Sequence, residues 1–75
     1  MSSVAPLPVV RGRVAAFDEH RGLGEVETVA DGVVLAFHCT AVADGSRSIA
    51  PGAVVDFRVV TGPIGILEAA ELRPA

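Results

Sequence analysis

The chain predicts an all-β fold, a small five-stranded antiparallel β-barrel, on three observations. Its apolar content is β-leaning and small, with thirteen Val and twelve Ala against three Phe and no Trp or Tyr. Apolar and polar residues alternate along several short segments, the period of a strand with one face buried. Glycine, proline and Asp-Gly signals separate those segments at short intervals. Closing five short strands into a barrel removes the exposed edges that an open sheet would leave. Seventy-five residues make one domain, which buries only about 60% of its unfolded surface.

Each element has its own justification. Residues 1–8 carry small residues and two prolines without periodicity, and are expected to form a loose leader before a barrel over 9–75. Residues 9–17 form the first strand, with Val10, Val14 and Ala16 at even intervals. Residues 18–22 are polar, end in glycine and read as a turn. Residues 24–29 set Glu25 and Glu27 against Val26 and Thr28, a half-buried second strand. Ala30-Asp31-Gly32 is a hairpin signal, because Asp-Gly supplies the positive φ of a tight turn. Residues 33–38 are the third strand, and 43–52, with Asp-Gly, Ser and Pro, a long loop. Residues 53–60 alternate around Val55, Phe57 and Val59 until Thr61-Gly62-Pro63 breaks the pattern. Residues 65–72 form the fifth strand, although Glu68–Leu72 would also suit a helical turn. By alternation Phe37 and Phe57 point into the barrel.

Charge and cysteine content narrow the function. Six Arg, no Lys and nine acidic residues give a net charge of −3, where a dedicated nucleic-acid binder is more often basic. Cys39 is the single cysteine, which forbids an intrachain disulfide and suits a reducing, cytoplasmic setting. The N-terminal residues lack the basic start and apolar run of a secretion signal, and no segment approaches the ~20 apolar residues of a membrane span.

The segments Gly12–Val26 (GRVAAFDEHRGLGEV), Leu35–Val42 (LAFHCTAV) and Arg47–Gly52 (RSIAPG) resemble a bacterial cold-shock domain. That family's pattern runs Gly-x-Val-Lys-Trp-Phe-Asn, then Lys-Gly-Phe-Gly-Phe-Ile, then Val-Phe-Val-His-Phe-Ser-Ala-Ile. The resemblance spans about Gly12 to Leu72 and implies an OB-fold barrel that binds single-stranded RNA or DNA. Gly12, Val14 and Phe17 match the first strand, with Asp18 in the Asn place. Arg21-Gly22-Leu23-Gly24 stands where the family has Lys-Gly-Phe-Gly. His38 and Ala41 match the second motif, with Thr40 for its serine, and Ile49, Gly52, Val55 and Phe57 match the fourth-strand entry.

The departures fall on the aromatics that stack on bases. Ala15 and Ala16 replace Lys and Trp, Leu23 and Glu25 replace two Phe, and Ala36 and Cys39 two more; Ser46 sits near an expected loop Phe. Each lost stack removes roughly 1–3 kcal/mol, and Glu25 adds repulsion. The candidate nucleic-acid-binding residues are therefore Arg13, Phe17, Arg21, Leu23, His38 and Arg47, and the expected ligand is single-stranded RNA or DNA, weakly bound. Arginine pairs with phosphate or stacks under a base.

Other chemistry is thin. His38 and Cys39 are neighbours in a strand, so their side chains are expected on opposite faces, a poor metal site. Cys39 lacks the local charges that would activate a thiol. No enzyme, cofactor, metal, membrane or small-molecule substrate is expected. The rival reading is a protein-interaction module: the small-residue surface forms an interface with a protein partner, a basic one or a second copy of the chain. Nucleic-acid binding expects positive potential around Arg13, Arg21 and Arg47; an interaction module expects those arginines to be offset by Glu25 and Glu27 beside an apolar patch.

Overall fold

A computed structural model describes residues 9–45 and 48–75. The expected leader, Ser46 and Arg47 lie outside the described residues. Five strands follow in order: β1 (Val9–Asp18), β2 (Leu23–Thr28), β3 (Val34–His38), β4 (Val54–Thr61) and β5 (Leu67–Pro74), with a short 3₁₀ turn, Cys39–Ala41, after β3. They close into a barrel in the order β1-β2-β3-β5-β4.

The barrel is mixed, not purely antiparallel. The pairs β1–β2, β2–β3, β1–β4 and β4–β5 are antiparallel, while β3 and β5 run parallel through Ala36 and Glu68. The reason is parity. Around a closed ring, antiparallel neighbours must alternate in direction, and an odd number of strands cannot do so throughout. One parallel pair is obligatory in a five-stranded barrel, and here it falls where the chain has crossed the barrel end between β3 and β4.

Strict alternation builds β2: Leu23, Glu25 and Glu27 face solvent, while Gly24, Val26 and Thr28 face inward. The core is Val14, Val26, Leu35, Phe37, Val42, Val55, Phe57, Ala69 and Leu72, with Val10, Phe17 and Ile49 packed against it. Fully burying an aliphatic or Phe side chain of this kind contributes about 1.5–3 kcal/mol. Both Phe37 and Phe57 are buried, as alternation requires. Thr28 is polar and buried; its Oγ1 accepts the backbone N–H of Val33 at 2.9 Å across the hairpin. That hairpin turns at Asp31-Gly32 with Gly32 at φ 69°, and the Gly32 N–H donates to the Thr28 carbonyl at 3.0 Å.

Two irregularities revise the expected pattern. A β-bulge between Val14 and Ala16 adds one residue to β1, which flips the side-chain parity beyond it. Ala16, expected in phase with Val10 and Val14, is therefore exposed, and Phe17 turns inward instead. The fifth strand is displaced to Leu67–Pro74, because the Gly62 N–H bonds the Ile66 carbonyl at 2.8 Å and holds 62–66 as the turn. Glu68 to Leu72 form no helical turn. A register shift between Asp56 and Arg58 places a bulge in β5, with Glu71 at φ 53°.

Candidate functional site

The outer face of β1–β2–β3 presents three cross-strand rows, each running from β1 through β2 to β3. They are Asp18–Leu23–His38, Ala16–Glu25–Ala36 and Arg13–Glu27–Val34, and all nine residues are exposed. Directly opposed side chains on such a face stand about 4.5–5.5 Å apart at Cβ, close enough to act together.

The first row and the turn behind it gather most of the predicted residues. Leu23 lies opposite both Asp18 and His38 and is 47% exposed. Asp18 organises the turn: its Oδ1 accepts the backbone N–H of His20 at 3.0 Å and of Arg21 at 3.2 Å. Its carbonyl accepts the Gly22 N–H at 2.8 Å, so a short acceptor at this position is what the turn needs. The Arg21 guanidinium lies beside the same carboxylate, Nε to Oδ2 3.9 Å. In the sequence Asp18 was legible only as the first residue of a polar turn, in the place where the cold-shock pattern has Asn.

Phe17 is divided between core and face. It is half-buried, and its ring stacks on Phe37 with centroids 5.9 Å apart and planes 5° from parallel. Its other side lines an open hollow of about 390 Å³ shared with Arg21, Leu23, Ala16, Ala36 and Glu25. Only part of this ring is available to a ligand.

His38 closes the row on β3. Its Nδ1 accepts the backbone N–H of Thr40 at 3.3 Å and lies 3.0 Å from Thr40 Oγ1. With Nδ1 accepting, this hydrogen-bond pattern assigns the proton of a neutral ring to Nε2. The expectation that His38 and Cys39 point to opposite faces is corrected. The strand ends at His38, Cys39 begins the 3₁₀ turn, and its Sγ comes within 3.7 Å of His38 Nδ1. The two-residue alternation applies only while the backbone stays extended. Among the described residues no three His, Cys, Asp or Glu side chains converge as a metal site.

The remaining predicted residues separate from this cluster. Arg13 occupies the far row, about 13 Å from Leu23 at the rise of two residues per row. Its cross-strand neighbour is Glu27. Arg47 lies outside the described residues. The loop that contains it returns to the 18–22 turn, where Ser48 Oγ donates to Glu19 Oε1 at 3.1 Å and Ile49 and Phe17 line a second hollow.

Charge is distributed unevenly around the barrel. The β1–β2–β3 face sets Asp18, Glu25 and Glu27 against Arg13 and Arg21. Among the described residues neither Arg13 nor Glu25 nor Glu27 enters an ion pair. The β1–β4–β5 side holds Arg11, Arg58 and Arg73 with Asp56 and Glu71. There Arg11 forks onto Asp56 at 2.9 and 3.2 Å, and Glu71 lies 3.4 Å from Arg58 and 3.9 Å from Arg73. The hydrogen bond from Arg11 lowers the pKa of Asp56, and the same bond raises that of Arg11.

No helix among the described residues is long and apolar enough to cross a membrane. Neither a family model nor a curated protein matches the chain.

Proposed function

We propose that the chain is an OB-fold domain of the cold-shock type that binds single-stranded nucleic acid weakly on the outer face of β1–β2–β3. The strand order β1-β2-β3-β5-β4, with its single parallel pair, agrees with a five-stranded Greek-key barrel of that kind. The observation that carries the reading is the convergence of Phe17, Arg21 and Leu23 on one hollow, with His38 directly opposite Leu23. Leu23 and the accessible side of Phe17 supply apolar contact to a base, His38 a second ring, and Arg21 a cation for phosphate. Low affinity follows from Ala16 and Ala36, which leave the middle row without a stacking surface, and from the carboxylates beside them. The single cysteine fits a cytoplasmic setting.

Fluorescence anisotropy with labelled single-stranded oligonucleotides at low and moderate salt tests this. Saturable binding is expected, weakened by salt and weakened further in His38→Ala and Leu23→Ala, both exposed positions that spare the core. Absence of binding at tens of micromolar protein in low salt overturns it.

One observation favours a second reading. Arg13 faces Glu27 and Arg21 lies against Asp18, while Ala16, Leu23, Val34 and Ala36 form an apolar background to Glu25 and Glu27. Such a face complements a basic protein segment, whose long side chains lay their stems on apolar surface and their charges on carboxylates. This reading expects an arginine-rich peptide to saturate the same face while oligonucleotides do not bind.

A further inference from the structure

We infer that the proposed nucleic-acid face selects guanine, through the carboxylate of Glu25. The inference rests on the nucleic-acid reading above and specifies its ligand. Glu25 stands in the middle of the middle row, and both of its cross-strand neighbours, Ala16 and Ala36, are too short to cover or engage it. Its carboxylate has no hydrogen-bond or ion-pair partner among the described residues. It stands beside an open hollow of about 390 Å³ walled by Phe17 and Leu23, with Arg21 also lining it. That volume lies within the range of small-ligand sites.

The electrostatics decide which part of a nucleotide can enter. Asp18, Glu25 and Glu27 repel phosphate, so a strand lying on this face must turn its bases toward the sheet and leave its phosphates outward, within reach of Arg21. A carboxylate is an acceptor only, and it therefore sorts bases by the donors on their exposed edges. Guanine offers two adjacent donors, N1–H and the N2 amino group, which match the two carboxylate oxygens in a bidentate, charge-assisted pair. Adenine and cytosine offer one amino group beside a ring-nitrogen acceptor. Thymine and uracil offer one N–H between two carbonyl oxygens, both of which a carboxylate repels. Unstacked bases in single strands expose these edges for such recognition.

The test uses the full chain and four labelled heptamers, all thymine except for a central guanine, inosine, cytosine or thymine. The guanine heptamer is expected to bind about tenfold tighter than the all-thymine one, the scale of a good bidentate contact. Inosine, which lacks the N2 amino group, is expected to lose most of that preference. Glu25→Ala is expected to abolish the preference, so that the guanine and all-thymine heptamers bind with equal affinity. Equal binding of the guanine and thymine heptamers, or a guanine preference that survives in Glu25→Ala, overturns the inference but leaves the binding function standing. Failure of every heptamer to bind overturns the function and this inference with it.

Discussion

Phe17 and Phe37 stack across a glycine. They lie on β1 and β3, with Gly24 of β2 as the register partner of both, and their rings are parallel within 5° at 5.9 Å between centroids. Strands once removed are about 9.6 Å apart, so the rings meet only because nothing rises from Gly24 between them. A Cβ built there would fall onto the Phe37 ring. One residue without a side chain thus couples a candidate ligand-contacting ring to the barrel core.

Gly24→Ala is expected to destabilise the fold by about 1–3 kcal/mol, the range of overpacking in a filled core. Urea denaturation followed by circular dichroism measures it. An unchanged midpoint would show that the two rings do not depend on the gap.

Phe17→Ala is expected to cost about 2 kcal/mol of stability, below the 3–5 of a fully buried Phe because only one side of the ring is packed. It is also expected to weaken oligonucleotide binding. Phe17→Leu separates the two effects: it should recover most of the stability and less of the affinity. Recovery of both in equal measure would mean that the ring serves the core alone.

Ala16→Trp places a ring on the exposed middle row, where the bulge has turned position 16 outward. Affinity for single-stranded oligonucleotides is expected to rise by about 1–3 kcal/mol, one base stack, with little change in thermal midpoint. An unaltered anisotropy titration would argue that this face does not meet bases.

The Arg11–Asp56 pair predicts an acid dependence. Hydrogen bonding to Arg11 lowers the Asp56 pKa in the folded state. Its contribution is therefore full above the ordinary aspartate value near 4 and is lost as pH falls through the lower, folded value. Arg11 is solvent-exposed and Asp56 only half-buried, so the effect is expected to be small. Carboxyl-carbon NMR titration should show Asp56 titrating below the ordinary aspartate range, and Arg11→Ala should return it toward that range. A titration of Asp56 at the ordinary value in the native chain would contradict the pairing.

How far the sequence could be read depends on the range of the forces involved. The alternation of the second strand was legible, because Glu25, Val26, Glu27 and Thr28 alternate and a buried face enforces that period locally, although the strand runs Leu23–Thr28, one residue earlier at each end than the expected 24–29. The Asp31-Gly32 hairpin was legible for a similar reason, since its backbone geometry depends on residues within the turn. The inward placement of Phe37 and Phe57 follows from the same alternation. What failed did so where geometry is not local. The bulge that exposes Ala16 and turns Phe17 partly inward is a property of the β1–β2 pairing; the alternation within β1 carries no mark of it, and only the resemblance put position 16 on the outer face.

The same division holds at the site. The chain by itself determined a small β-barrel, its five strands and which residue types could meet a ligand, because hydrophobic periodicity and turn chemistry act over a few neighbours. Tertiary structure alone decided that β3 and β5 run parallel, since closing an odd ring is a global constraint. It also brought Leu23 and His38 into one row with Arg21 beside them, and set Arg13 apart opposite Glu27. Those relations depend on strand register, which is fixed by residues far apart in the chain.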